Sequence, residues 1–127
     1  MLVMSTVGVD VVGAPPIAPA DEAIDLAHLA RMTLGDKSLE AEVLGLFERQ
    51  AGLLLERMRK AAPSAAGAFA HTLKGSAQGI GAWHVAAAAA VVERAAGGGD
   101  AAGLVDALDR LAGAIGLAQT AITALRG

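Results

Sequence analysis

Residues 69–80 read Phe-Ala-His-Thr-Leu-Lys-Gly-Ser-Ala-Gln-Gly-Ile, and this stretch decides how the chain is expected to fold. An α-helix turns by 100° per residue, so its apolar and polar side chains separate onto two sides. The apolar side consists of Phe69, Leu73, Ala77 and Ile80. The opposite side carries His71, Lys74, Gly75 and Gln78. The stretch therefore predicts an amphipathic helix from about Ala65 to Ile80, with chemically active groups on its outward side.

The sequence before this stretch predicts two more helices. A short one, capped by Asp25, is expected to run through Arg31, and a long one from about Leu39 to Ala62. Pro63 then ends the long helix and Ser64 caps the next. The positions expected to face inward are Leu26, Leu29, Ala30, Leu39, Val43, Leu46, Phe47, Leu54 and Met58.

Two further helices are predicted after residue 80. Trp83 opens one that reaches about Ala96, and the glycines at 97–99 terminate it. Asp100 caps the last helix. The inward positions of these two helices are Val85, Ala89, Val92, Ala96, Leu104, Leu108, Leu111, Ile115, Ile122 and Leu125. Four long helices with short connections predict an all-α fold, an up-and-down antiparallel four-helix bundle with an additional short N-terminal helix.

Composition limits the possible functions. The chain has 127 residues, enough for one domain, and 54% of them are apolar although only 2% are aromatic. The core is therefore expected to consist of Ala, Leu, Val and Ile. The net charge of -3 argues against nucleic-acid binding, which normally requires a basic patch. The absence of Cys excludes disulfides and thiolate chemistry.

The N-terminal segment is expected to be a flexible leader, residues 1–20, in front of one helical domain, residues 21–127. It is apolar, but no Lys or Arg precedes Arg31 and Asp10 interrupts the apolar run, which argues against a secretory signal. No stretch provides the ~20 apolar residues that span a bilayer. A cytoplasmic location is expected.

The outward side of residues 69–80 suggests chemistry at His71. A neutral imidazole is a good nucleophile near pH 7. Lys74 lies one turn further along, where its ammonium can offset the charge of a phosphoryl group. Gly75 is costly inside a helix, and it leaves room for another protein to approach the imidazole. Lys-Gly-Ser at 74–76 is not the Gly-Lys-Ser order of a phosphate-binding loop.

These residues resemble a known family. Residues 70–82, Ala-His-Thr-Leu-Lys-Gly-Ser-Ala-Gln-Gly-Ile-Gly-Ala, look like the signature of histidine-containing phosphotransfer (HPt) domains of bacterial two-component phosphorelays. Residues 24–29, Ile-Asp-Leu-Ala-His-Leu, are similar to the family's opening helix, and Leu46-Phe47 to its second helix. The resemblance covers about residues 22–125.

The resemblance implies a role for each site residue. His71 would be the phosphoacceptor, Lys74 would support the phosphoryl group and Gly75 would keep the site open. Family members often have Glu or Gln on the following helix that bonds the imidazole, and the matching position here is Glu93. Its carboxylate would accept from Nδ1–H and leave Nε2 as the nucleophile. Gln78 faces the same way as His71 and would touch the phosphoryl group or the partner.

The resemblance also implies partners. They are response-regulator receiver domains and a hybrid sensor histidine kinase, with no nucleic acid and no membrane. The chain itself would be a monomeric phosphoryl carrier without ATP-dependent kinase activity. It would need no cofactor or metal of its own, because the receiver contributes Mg²⁺.

Other interpretations remain open at this point. Glu93 could be an ordinary solvated charge, Gln78 a plain surface residue, and His28 and His84 structural or surface residues. The protein could be a helical interaction module that binds a receiver or kinase without being phosphorylated. It could also be the phosphoacceptor hairpin of a dimeric kinase, although that class places an acidic residue directly after its His and here Thr72 follows.

Overall fold

The chain forms five helices in the computed structural model, which describes residues 22–126. The predicted leader, residues 1–20, lies outside the described residues. The helices are α1 (Leu26–Met32), α2 (Lys37–Lys60), α3 (Pro63–Ile80), α4 (Trp83–Gly98) and α5 (Ala101–Arg126). Two residues join each consecutive pair of long helices, at 61–62, 81–82 and 99–100. Such short connections make neighbours antiparallel.

The long helices form a four-membered ring of contacts. α3 packs between α2 and α4, and α5 closes the bundle by packing against both α4 and α2. α1 lies on α3. The predicted fold class is confirmed: an up-and-down four-helix bundle with an additional short helix at its start. Within the described part of the chain, none of the helices combines the length and apolar character that crossing a membrane requires.

Side-chain caps fix three helix starts. Asp25 accepts from the backbone N–H of His28 at 3.1 Å, as predicted. Asp36 caps α2 and Asp100 caps α5, each at 3.0 Å. The predicted Ser64 cap is wrong, because α3 already begins at Pro63 and its preceding residue, Ala62, makes no side-chain cap. Proline suits the first helical position, where its fixed φ fits and no N–H is needed.

The core is built from small and branched aliphatic side chains, as the composition predicts. Alanine fills many contact positions between the helices, which lets the backbones approach closely. The fully buried residues include Leu29, Ala51, Met58, Ala66, Ala70, Leu73, Ala77, Val85, Ala89, Val92, Leu111 and Ile122. α3 thus buries the side that carries Leu73 and Ala77, which leaves the opposite side open.

Four residues predicted to face inward are exposed instead. Leu46 is 60% exposed because the buried stripe of α2 runs through Leu44 and Phe47, and Leu46 lies about 100° away from Phe47 around the helix. Leu26 and Leu39 lie in the first turns of their helices and Leu125 in the last turn of α5, where the bundle ends and fewer neighbours cover them.

Truncation of Leu73 to Ala is expected to lower the free energy of unfolding by about 2–5 kcal/mol. Leu73 is fully buried in α3, so the substitution removes apolar contacts and leaves a cavity. Urea unfolding followed by circular dichroism measures the change. Leu46→Ala is the matched control and is expected to cost less than about 0.5 kcal/mol. Equal losses in the two variants would contradict the packing described here.

Candidate functional site

His71 stands on the open side of α3. The residues on the other side of the same helix, Ala70 and Leu73 among them, are fully buried, whereas the His71 side chain is 68% exposed. The amphipathic pattern therefore fixes the direction of the imidazole: packing of the apolar side against α2 and α4 turns it outward. An exposed imidazole is accessible to a partner protein.

Glu93 on α4 contacts this imidazole. Its Oε2 lies 2.9 Å from Nδ1 of His71, so the contact that the family resemblance implies is present. A carboxylate only accepts hydrogen bonds, so Nδ1 carries the proton. In the neutral imidazole Nε2 is then the unprotonated nitrogen, and it makes no hydrogen bond within residues 22–126. The pair presents a nucleophilic nitrogen of fixed tautomer.

Lys74 joins the same cluster. Its Nζ donates to Oε1 of Glu93 at 2.8 Å, so Glu93 uses one oxygen for Lys74 and the other for His71. The sequence predicts that Lys74 supports a phosphoryl group, and the bond to Glu93 is a contact that it does not predict. An ammonium has three donors, and this is the one hydrogen bond of Nζ within the described residues. Two donors therefore remain for an anion.

The contacts of Glu93 with Lys74 and His71 favour its ionised form. The bond from Lys74, and next the bond from His71, hold the pKa of Glu93 below its ordinary value of 4.5. Because the pKa is lower in the folded state than in the unfolded chain, ionised Glu93 stabilises the fold above pH 4.5. This stabilisation is lost as the pH falls through the folded-state pKa, where Glu93 becomes protonated. At neutral pH Glu93 is therefore a carboxylate, the form that accepts from Nδ1–H.

Gly75 leaves the surface beside His71 bare. A Cβ added at Gly75, or at Gly79 one turn further on, would meet no atom within 4 Å. Gln78 is exposed on α3 and makes no hydrogen bond to the cluster of His71, Lys74 and Glu93. The structure thus groups three predicted site residues by direct contact, leaves Gly75 as open space beside them and keeps Gln78 apart.

The other two histidines lie elsewhere. His28 on α1 directs Nε2 to the carbonyl oxygen of Gly79 at 3.2 Å, which is a structural contact. His84 is exposed at the start of α4. Within residues 22–126 no three His, Asp or Glu side chains gather as a metal site.

Comparisons with known proteins agree with this fold. A family model for the Hpt domain matches residues 42–126, which include His71 and Glu93. Among solved structures, the fold is similar to an X-ray structure of a rice protein described as a histidine-containing phosphotransfer protein. The TM-score is 0.75 and the match covers 84% of this chain and 81% of the rice chain, at 16% sequence identity. A search of curated protein sequences returns no match.

The two findings carry different weight. At such low identity the structural likeness shows the fold alone, whereas the family match spans more than half of the chain, from α2 to the end of α5. We conclude that the chain belongs to the Hpt domain family and that its role is phosphotransfer in two-component signalling.

Proposed function

We propose that His71 carries a phosphoryl group between receiver-domain aspartates, from a hybrid sensor kinase to a response regulator, in a two-component phosphorelay. The observation that supports this most is the contact of 2.9 Å between Nδ1 of His71 and Glu93 on an otherwise exposed imidazole. It provides an accessible Nε2 with a lone pair, which is the group that phosphoryl transfer needs.

The proposed transfer needs few groups from this chain. Nε2 forms a bond to phosphorus as the bond between phosphorus and the receiver's aspartyl oxygen breaks, and that aspartate leaves as a carboxylate. Nδ1 keeps its proton, so the imidazole gains positive charge that Glu93 offsets. Lys74 offsets the charge of the phosphoryl oxygens. The second step is the reverse reaction with the aspartate of another receiver.

The receiver would supply most of the catalysis. Phosphoryl transfer depends mainly on positioning and charge stabilisation, and the receiver is expected to contribute Mg²⁺. This chain then acts as a carrier and not as an ATP-dependent kinase. A monomer in the cytoplasm suits that task, because one chain already provides four long helices.

The proposed docking surface combines His71, Gly75 and Gln78 with exposed apolar side chains of α1 and α2. Those apolar residues are Leu26, Met32, Leu39, Leu46 and Leu53. Scattered exposed leucines are ordinary, but the two helices that carry these five both pack against α3. Transient signalling contacts often bury less than about 1,200 Å², which a surface of this kind can provide.

Transfer of labelled phosphoryl groups tests the proposal. The protein is incubated with a panel of phosphorylated receiver domains, and the expected product is a protein-bound label that is labile in acid and stable in base. Binding of a receiver without any label on this chain would favour the non-phosphorylated interaction module. A sizing measurement would separate the monomer from the dimeric kinase hairpin.

Glu93→Ala is expected to slow the transfer without abolishing it. Without the carboxylate, the proton of His71 is no longer held on Nδ1, and the positive charge that the imidazole gains during transfer has no partner. Loss of one charge-assisted hydrogen bond should therefore reduce kcat/KM by about 10- to 100-fold. Rates of label transfer measure this change. Glu56→Ala, which removes an exposed carboxylate paired with Lys60, is the control and should transfer normally. A wild-type rate in Glu93→Ala would exclude an orienting role.

A further inference from the structure

Asp25 fastens the start of α1 to the turn between α3 and α4. Its backbone N–H donates to the carbonyl oxygen of Gly81 at 2.9 Å, its Oδ1 caps α1, and its Oδ2 accepts from the indole N–H of Trp83 at 2.9 Å. The ring of His28 contacts that of Trp83 edge-on, with centroids 4.9 Å apart. We call the group of Asp25, His28, Gly79, Gly81 and Trp83 the α1 clasp.

Gly81 makes this close approach possible. Its φ is +83°, in the left-handed region, and an added Cβ would lie 3.0 Å from both the Cβ and the carbonyl oxygen of Asp25. Both conditions favour glycine. The turn is therefore shaped to admit the backbone of Asp25.

The clasp adds to a small amount of packing at α1. The helix has seven residues and buries Leu29, while Ile24 just before it and Thr33 just after it are also buried. An isolated helix of that length is not stable in water. The polar contacts at its first turn therefore act together with these buried side chains to hold α1 on the bundle.

α1 and the turn after it present large apolar side chains to solvent. Leu26 and Met32 are exposed, and Leu34 is 92% exposed with φ at +54°. This φ serves to end α1, because the N–H of Gly35 donates to the carbonyl oxygen of Ala30 and the N–H of Leu34 to that of Arg31. Three large apolar side chains are nevertheless exposed within this short segment, and exposed apolar surface of this kind is typical of contact sites for other proteins.

The clasp also places α1 in line with His71. The carbonyl oxygen on α3 that bonds His28 belongs to Gly79. Gly79 follows His71 by eight residues, which is about 12 Å along the helix axis. Gly75 lies between them, and neither glycine has an atom within 4 Å of the position of an added Cβ. A partner lying on this bare part of α3 would contact the imidazole at one end and α1 at the other.

We propose that the α1 clasp holds α1 as a docking element for the receiver domain, which makes Trp83 and Asp25 positioning residues for phosphoryl transfer. The inference rests on the proposed function of His71. The clasp acts on binding of the receiver, through α1, and not on the chemistry of Nε2. No clasp contact involves His71, Lys74 or Glu93.

Trp83→Phe in the full chain tests this. Phe keeps the ring against His28 and removes the N–H that Asp25 accepts. Asp25→Ser is the second variant, because serine can cap α1 but is too short to reach the indole. In both variants we expect KM for the phosphorylated receiver to rise about five-fold, because one ordinary hydrogen bond is lost. The kcat should stay within about two-fold of the wild-type value.

Two further readouts separate docking from chemistry and from folding. Labelling of His71 by the small donor phosphoramidate should be unchanged, and amide hydrogen exchange should accelerate in α1 but not in α3. His84→Gln, an exposed change on the first turn of the same α4, is the control and should alter none of these.

Each outcome decides the proposal. An unchanged KM, or unchanged exchange of the α1 amides, in both variants would overturn it. An equal loss with receiver and phosphoramidate would also overturn it, since the clasp would then act on the His71 site or on folding. Failure of the wild type to accept label from any receiver would instead overturn the proposed function itself.

Discussion

Replacement of His71 by glutamine is expected to reduce label transfer to background while leaving the fold intact. Glutamine has no nitrogen with a basic lone pair, so no bond to phosphorus can form, although its amide can still donate to Glu93. Because the side chain is 68% exposed, the free energy of unfolding should change by less than about 0.5 kcal/mol. The amount of label bound per protein molecule measures the first effect, and urea unfolding measures the second.

The control for this variant is His84→Gln, which removes an exposed imidazole elsewhere on the surface. It is expected to accept label like the wild type. Label retained by His71→Gln would show that another residue is the acceptor, and the proposed site would be wrong.

A leucine at Gly75 is expected to block transfer from the receiver by about 100-fold or more, because a displacement of about 1 Å at the reacting atoms already costs that much. The fold should accept the change, since nothing lies within 4 Å of the added Cβ and helix interiors favour leucine over glycine. The large side chain would instead hold a partner away from Nε2. Phosphoramidate, a small donor, should still label His71.

Gly113→Leu on α5 is the matched control, because an added Cβ there also meets no atom within 4 Å. It should transfer at the wild-type rate. A normal rate in Gly75→Leu would mean that the partner does not approach over this part of α3, and loss of phosphoramidate labelling would mean that the leucine disturbs the imidazole itself.

Periodicity predicted the fold well where one side of a helix is buried. Leu73 and Ala77 are buried on α3, and Asp25 and Asp100 cap the helices that were expected to start beside them. The prediction was less accurate for α2, where a spacing of three and four fits Leu46 as well as Leu44. The choice between them depends on how α2 is rotated against α3 and α5, which the sequence of α2 alone does not determine.

Prediction of the site from the sequence meets the same limit. His71 and Lys74 share one helix, so their common side follows from spacing, whereas Glu93 was predicted only through the family resemblance. The bond from Lys74 to Glu93 spans 19 residues and that from Trp83 to Asp25 spans 58. Such contacts depend on helix rotation and on side-chain rotamers, which no short stretch of sequence specifies.

Nitrogen and phosphorus NMR of the histidine-labelled wild-type protein, before and after transfer from a phosphorylated receiver, tests the central claim most directly. The structure leads us to expect phosphorus on Nε2 of His71, with Nδ1 still protonated and bonded to Glu93. Phosphorus on Nδ1, on His28 or His84, or on no histidine would contradict the account.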